Sequence, residues 1–169
     1  MRKYGNGGHH IQSPEAIFSQ ISEALKGLAA DFVLVAPNFL EVTVEASKIT
    51  EVAQKLYVIG FDHVKSVTGI DYPLEKKIDI LYHVSAHDNL ELSKIILELK
   101  TSVDRADARI NTVTETWPSA EYPERETAEF LGVTFEGLPE KGRLTLLDNF
   151  EGGPPLRRDF ILKTEGTEA

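Results

Sequence analysis

Two histidines of this chain stand at a spacing that could bind a metal ion. His83 and His87 are four residues apart, and on a helix this spacing places two imidazoles one turn apart, as in a zinc hydrolase. Val84 stands where such a site carries a glutamate, and the alternating apolar residues around it predict a β-strand. Four residues of strand span roughly 13 Å, so the pattern predicts separate strand histidines rather than a metal site, unless the strand ends between them.

Two neighbouring carboxylates, Glu124 and Glu126, could divide the roles of general acid and general base. On a helix, positions two residues apart point about 200° apart, so these two side chains do not face one substrate. An ion pair between Arg125 and Glu129, four residues apart near a helix start, is the simpler interpretation. No serine stands in a Gly-x-Ser-x-Gly motif, so a serine-hydrolase triad has no support either.

A pair of arginines, Arg157 and Arg158, follows the Gly-Gly-Pro-Pro stretch at 152–155. Arginine is the preferred cation for bidentate pairing with carboxylates, and prolines stiffen the segment that presents it. The pattern therefore fits a docking element. It fits equally well a solvated basic pair in a tail, and the residues alone leave both interpretations open.

Composition excludes several classes of function. The chain has 169 residues, enough for one domain, with no cysteine and a net charge of −9. Without cysteine it has no disulfide, no thiolate nucleophile and no cysteine-ligated iron–sulfur cluster. The acidic balance argues against nucleic acid as a partner, because phosphate-backbone binding needs a basic surface. No run approaches the ~20 apolar residues of a spanning helix, and no secretory signal is evident, which predicts a cytoplasmic chain that can still dock on a membrane complex.

The periodicity of apolar residues predicts an α+β fold. The sheet is expected to be antiparallel or mixed, with helices packed on one face, and to be followed by a long irregular C-terminal strap. The predicted domain organisation is a flexible N-terminus (1–12), an α+β domain (13–132) and an extended docking tail (133–169). The predicted elements are a helix over 14–29, a strand hairpin over 31–44, a helix over 46–59, strands over 61–70 and 78–84, and a helix over 124–131 closed by Gly132. Residues 94–100 fit a strand or a helix, and no strand is followed by a dinucleotide-binding glycine motif.

Three motifs in the C-terminal half occur in a recognisable order. They read WPSAEYPERE at 117–126, FLGVTFEG at 130–137 and NFEGGPPLRRDF at 149–160. Upstream stand VTGIDYP at 67–73 and ILYHV at 80–84. Together they resemble the thirty-kilodalton subunit of respiratory complex I, the NADH:quinone oxidoreductase, and the resemblance covers roughly residues 62–163.

The resemblance implies a hydrophilic peripheral-arm subunit with no catalytic residue and no cofactor of its own. Its implied partners are the large subunit that carries the quinone site and an iron–sulfur subunit, which hold the quinone and the iron–sulfur clusters. The chain would then lie at the cytoplasmic face of the cell membrane and meet the membrane only through the complex. By position in the motifs, the implied partner contacts are Trp117, Glu124, Arg125, Glu126, Arg143, Arg157 and Arg158.

Several positions depart from the respiratory pattern of this family. Ala128 and Glu129 stand where an aromatic residue and an aspartate are common, and Leu138 stands where a histidine is common. Gly142-Arg143 replaces a basic pair, and the Gly-Gly-Pro-Pro stretch is one residue longer than usual. These departures favour an archaeal or hydrogenase-like branch and leave the electron donor open. The alternatives are the equivalent subunit of an energy-converting nickel–iron hydrogenase and, in a different class, a stand-alone hydrolase.

Overall fold

The computed structural model describes residues 14–140 and 142–162, so the predicted flexible N-terminus (1–12) lies outside the described residues. Short 3₁₀ turns lie at Ala46–Lys48, Leu92–Lys94 and Pro118–Ala120. The helices and strands are, in chain order, α1 (Pro14–Ala24), β1 (Ala29–Ala36), β2 (Phe39–Val44), α2 (Ile49–Ile59), β3 (His63–Tyr72), β4 (Lys77–Ser85), β5 (Ile96–Asp104), β6 (Arg109–Asn111), α3 (Glu121–Leu131) and β7 (Thr134–Glu136).

Five strands form one mixed sheet in the order β1-β2-β5-β4-β3, with β1 at one edge. β2 and β5 run parallel, and the other neighbours run antiparallel. The α+β class with a mixed sheet is therefore confirmed. The ambiguous segment 94–100 contributes the strand β5, because Leu97 and Leu99 enter the core while Glu98 and Lys100 meet charged partners on the other face.

All three helices cover the same face of the sheet. Strand register places Val42, Leu99, Tyr82 and Val67 side by side on that face, and all four belong to the buried core with residues of α1, α2 and α3. Helix α3 lies so close to β3 that a Cβ on Gly69 would overlap side chains of α3. The prediction of helices on one face is confirmed.

The first helix is shorter than the predicted 14–29. It ends at Ala24, because Gly27 adopts the left-handed conformation (φ 79°) and Ala29 already pairs with Val44 in the sheet. The apolar period continues past the helix end because Leu25 is still buried in the core, which sequence periodicity does not distinguish from helix.

Two other elements also begin or end away from their predicted bounds. β3 continues to Tyr72, so the turn predicted at 71–73 comes later and contains Lys76 at φ 53°. Helix α3 begins at Glu121 rather than at Glu124, with Pro123 in its first turn, where proline is tolerated. Gly132 closes α3 at φ 68°, as predicted.

A further strand, β7, lies within the segment 133–169 that the sequence predicts as an extended docking tail. Strand β7 pairs in parallel with β6, and the register that opposes Phe135 to Ile110 buries both side chains. A three-residue strand gives no periodic signal, so the sequence pattern does not predict it. The strap is residues 139–162, apart from Lys141, and it contains turns and bends but no helix or strand. Across the described residues, none of the helices has the length and apolar character needed to span a membrane.

Candidate docking site

Trp117 sits at the start of the motif region and is fully buried. Its indole Nε1–H donates a 2.7 Å hydrogen bond to the backbone oxygen of Phe61, which lies between α2 and β3. Pro118 follows at the first position of the 3₁₀ turn that leads into α3. With no exposed surface, the Trp117 side chain has nothing to offer a partner in this conformation. Its contacts position the start of α3 instead.

Glu124 is also fully buried, on the inner side of α3. Its Oε1 accepts hydrogen bonds from the Tyr82 hydroxyl (3.0 Å) and the Val113 N–H (3.1 Å), and its Oε2 accepts one from the Thr112 hydroxyl. Burial raises the pKa of this carboxyl, although the three donors oppose that effect. Glu124 therefore fixes α3 to the sheet and has no surface for a partner.

Glu126 lies on the outer side of the same helix. Its side chain is exposed and forms no hydrogen bond or ion pair with residues 14–140 or 142–162. Glu124 faces inward and Glu126 faces outward, as expected for helical residues two positions apart. The pair therefore cannot act together on one substrate, in agreement with the sequence interpretation, and Glu126 remains open to a partner.

Arg125 does not form the ion pair with Glu129 that the spacing indicates. Its Nη1 donates to Glu140 Oε2 at 2.7 Å. Glu129 instead accepts hydrogen bonds from three consecutive strap amides, those of Leu144 (3.3 Å), Thr145 (2.8 Å) and Leu146 (2.9 Å). Partial burial alone would raise the pKa of Glu129, but these amides and a nearby arginine hold it below its usual value. The prediction was wrong because the strap returns across α3 and supplies different partners to both residues.

Arg143 holds a turn within the strap. Its Nη1 donates to the backbone oxygen of Leu147, and its Nη2 donates to that of Phe150 at 3.0 Å. The guanidinium also lies over the Phe150 ring, 6.0 Å from its centroid. These contacts use donor groups that a partner could otherwise bind, so the role of Arg143 within the chain is to shape the strap.

The two arginines of the Gly-Gly-Pro-Pro-Leu-Arg-Arg motif have different environments. Arg157 Nε donates to the backbone oxygen of Leu131 at 2.8 Å, which ties the strap to the end of α3. The Arg158 N–H donates to Asp71 Oδ2 at 3.0 Å, but its guanidinium is exposed and unpaired within the described residues. Of this pair, the Arg158 side chain is the one free to meet a partner.

Sequence reasoning missed Arg105, which lies just after β5. Its guanidinium binds both oxygens of Asp71 (2.7 and 3.1 Å) and Oδ1 of Asp159 in the strap (2.6 Å). The hydrogen bonds from Arg105 lower the pKa of both aspartates, and they raise the pKa of Arg105 itself. The three residues are far apart in the sequence, so no spacing rule could have revealed them as a cluster.

The histidines of the possible metal pair lie apart. His83 is within β4, where its Nε2 is 3.0 Å from Glu98 Oε2, and its ring also contacts Ser66. His87 follows the end of β4 and packs on His63, with 4.3 Å between ring centroids. Among the described residues, no group of three or more His, Cys, Asp or Glu side chains is placed so that it could hold a metal ion.

In addition to the exposed charged side chains of Glu126 and Arg158, the site has exposed apolar side chains. They belong to the strap and are Leu147, Leu156, Ile161 and Leu162, which are 63–82% exposed. Exposed apolar side chains in the same segment as the exposed Arg158 are typical of a protein–protein contact. The arrangement is suited to docking rather than to covalent chemistry.

Comparison with known proteins finds one family and several relatives. The family described as "Respiratory-chain NADH dehydrogenase, 30 Kd subunit" matches residues 42–166. The C subunit of the NADH-quinone oxidoreductase of Moorella thermoacetica is 34% identical over 71% of this chain and 76% of its own length. The C subunit of the F(420)H(2) dehydrogenase of Methanosarcina mazei is 33% identical over 74% and 77%, respectively.

Two solved structures have the same fold. A chain of the membrane-bound sulfane sulfur reductase, an archaeal respiratory membrane complex, gives a TM-score of 0.77 at 31% identity, covering 88% of this chain and 85% of that one. A fragment of Nqo5 gives a TM-score of 0.62 at 22% identity, covering 75% and 98%. The second likeness concerns the fold alone.

Proposed function

This chain belongs to the 30 kDa subunit family of respiratory-chain NADH dehydrogenases, and we propose that it serves a complex-I-like oxidoreductase as a scaffold without catalytic residues. In this role it joins the large subunit that carries the quinone site to an iron–sulfur subunit. The complex places it at the cytoplasmic face of the membrane. The observation that carries the proposal is the family match over 42–166, which contains α2, strands β3 to β7, α3 and the strap.

The strap supports the scaffold role. It is fixed to the domain by the Leu156 N–H, which donates to the backbone oxygen of Phe130 at 2.9 Å, and by Arg105, which joins Asp71 to Asp159. Four of its apolar side chains, those of Leu147, Leu156, Ile161 and Leu162, are 63–82% exposed. A neighbouring subunit would cover them.

The composition supports a chain whose redox groups belong to its partners. The sequence contains no cysteine, so any cysteine-ligated cluster of the complex must be held by other subunits. The named relatives include an NADH-quinone oxidoreductase and an F(420)H(2) dehydrogenase, which differ in electron donor. The donor of this complex therefore follows from the partner subunits rather than from this chain.

The two alternative functions, a subunit of a nickel–iron hydrogenase and a stand-alone hydrolase, gain no support. None of the relatives named above is a hydrogenase. A stand-alone hydrolase would need an accessible glutamate and histidine. Glu124 is fully buried, and His83 is paired with Glu98.

Purification from the native host tests the proposal. The full chain with an N-terminal affinity tag, which leaves the strap unmodified, is recovered from detergent-solubilised membranes, and co-purifying proteins are identified by mass spectrometry. We expect the quinone-site large subunit and an iron–sulfur subunit in near-equal amounts. Recovery of the chain alone, or with a nickel–iron hydrogenase subunit in place of the quinone-site subunit, would contradict the proposal.

A further inference from the structure

An open cavity of about 420 Å³ lies between α3, β7 and the strap. Its apolar lining includes Phe135, Leu138, Leu146, Phe150 and Pro154. The volume falls within the range of about 300–1,000 Å³ that is usual for binding pockets in proteins. This α3–strap cavity is large enough to admit bulky side chains from outside the chain.

Arg125 lines the cavity and carries a charge that the chain compensates poorly. Its side chain is 9% exposed, and its one ion-pair partner in the described chain is Glu140, whose side chain is 67% exposed. Its Nε–H finds no hydrogen-bond partner in the part of the chain that the structure describes. A buried guanidinium normally has its donors satisfied, usually by carboxylate oxygens, because an unpaired buried charge is costly.

The other charged groups of the cavity are already engaged. Glu129 accepts three strap amides, and Arg143 donates to two strap carbonyl groups. Neither of them accepts a hydrogen bond from the Arg125 Nε–H. The cavity therefore combines an apolar lining with a guanidinium that has one exposed carboxylate partner and an Nε–H without an acceptor, which is complementary to an apolar side chain beside a second carboxylate.

We propose that the α3–strap cavity receives a segment of a partner subunit, in which an apolar side chain enters the cavity and an adjacent Asp or Glu binds Arg125. This inference rests on the proposed function and specifies how the partner is held. A protein segment is favoured over a free small ligand because Leu144 and Leu147, which are close in sequence to the lining residue Leu146, are exposed apolar side chains that a larger partner would cover.

Photocrosslinking in the purified complex tests the occupant. Benzoylphenylalanine in place of Leu146 lies in the cavity wall, and the same group in place of Leu90, which is 78% exposed and outside the cavity, is the matched control. We expect the Leu146 probe to crosslink to a partner peptide that contains an acidic residue within a few positions of the crosslink. In Arg125→Met this crosslink should fall by about tenfold or more, while any crosslink from Leu90 is unchanged.

A second variant distinguishes the effect of a partner's carboxylate from that of the ion pair between Arg125 and Glu140 within this chain. In Glu140→Gln the internal ion pair is lost but the Arg125 cation remains, so the crosslink yield should stay at or above that of the wild type. Equal losses in Arg125→Met and Glu140→Gln would mean that the internal pair alone matters, and would overturn the inference. Thermal unfolding of each purified variant verifies that the domain remains folded.

The outcomes separate this inference from the proposed function. An intact complex whose Leu146 probe crosslinks only to this chain or to a small molecule overturns the inference and leaves the proposed function standing. The same holds if the crosslinked partner peptide has no acidic residue nearby, or if Arg125→Met leaves the yield unchanged. If no complex is recovered at all, the proposed function fails, and the inference fails with it.

Discussion

The carboxylate of Asp71, at the end of β3, accepts a hydrogen bond from the backbone N–H of Arg158, 87 residues later in the chain, at 3.0 Å. Arg105 binds the same carboxylate with two hydrogen bonds and reaches Asp159 with a third. The sheet and the strap are thus joined by one buried carboxylate and one arginine, and we name this cluster the Asp71–Arg105–Asp159 clamp.

Asp71→Asn should loosen the strap. Asp71 is 4% exposed, and the change leaves Arg105 without its bidentate partner, so we expect a loss of about 2 kcal/mol in the free energy of unfolding. Urea denaturation measures the loss, and trypsin cleavage after Arg157 or Arg158 should become faster. Asp107→Asn is the control, because it removes an exposed ion pair to Arg109 and should cost under about 0.5 kcal/mol. Similar losses in both variants would contradict the clamp.

The clamp should also weaken in acid. The hydrogen bonds from Arg105 hold the pKa of Asp71 in the folded state below its value in the unfolded state. The contribution of Asp71 to stability is therefore present above the pKa of the unfolded state, and it is lost as the pH falls through the pKa of the folded state. We expect the free energy difference between the wild type and Asp71→Asn to shrink as the pH is lowered below about 4. Urea denaturation across pH 2–7 measures this difference, and a difference independent of pH would contradict the assignment.

Glu124 should have the opposite pH dependence. Burial raises its folded-state pKa above the unfolded value, so its contribution to stability is full below the unfolded pKa and declines as the pH rises through the folded pKa. The stability advantage of the wild type over Glu124→Gln should therefore diminish from about pH 4.3 upward. Glu126→Gln is the control on the exposed side of α3 and should change the free energy of unfolding by less than about 0.5 kcal/mol. An advantage of Glu124 that grows with pH would show that its hydrogen bonds outweigh its burial.

Gly132→Ala should displace the strap. Gly132 has φ 68°, and an added Cβ would lie 2.7 Å from Pro154 Cγ and 3.2 Å from Arg157 Nη2. Backbone strain and this overlap should cost about 1–2 kcal/mol and expose the strap to protease. Gly153→Ala is the matched control, because nothing lies within 4 Å of its added Cβ. Calorimetry and limited proteolysis measure both effects, and equal behaviour of the two variants would argue against tight packing at Gly132.

Charge reversal at Arg157 and at Arg158, one at a time, should distinguish an effect on the stability of the chain from an effect on its docking. The Arg158 guanidinium is exposed, so Arg158→Glu should change the free energy of unfolding by less than about 0.5 kcal/mol and yet lower the amount of complex on native gels. Arg157→Glu should lower both, because Arg157 also binds the end of α3. A normal amount of complex in Arg158→Glu would remove Arg158 from the docking residues.

The alternation of apolar and polar residues was sufficient to predict β2, β4 and the α+β class, because every second residue of each of these strands is an apolar member of the core. It could not predict that β2 and β5 run parallel, since that pairing joins residues such as Val42 and Leu99 that are distant in the sequence. The motifs indicated candidate docking residues, but the contacts that these residues make within the chain depend on the path of the strap. Arg125 binds Glu140 rather than Glu129 for this reason, and Trp117 and Glu124 are buried within the chain.

The position of β1 at the edge of the sheet affects how the chain behaves before assembly. Val33, Leu34 and Val35 are 42–57% exposed there, and the outer side of an edge strand carries unpaired backbone groups. An apolar edge of this kind is a template for strand pairing between copies. Within the described residues β1 pairs on one side only, so overproduction of this chain by itself should favour pairing between copies at β1 and the accumulation of insoluble aggregate.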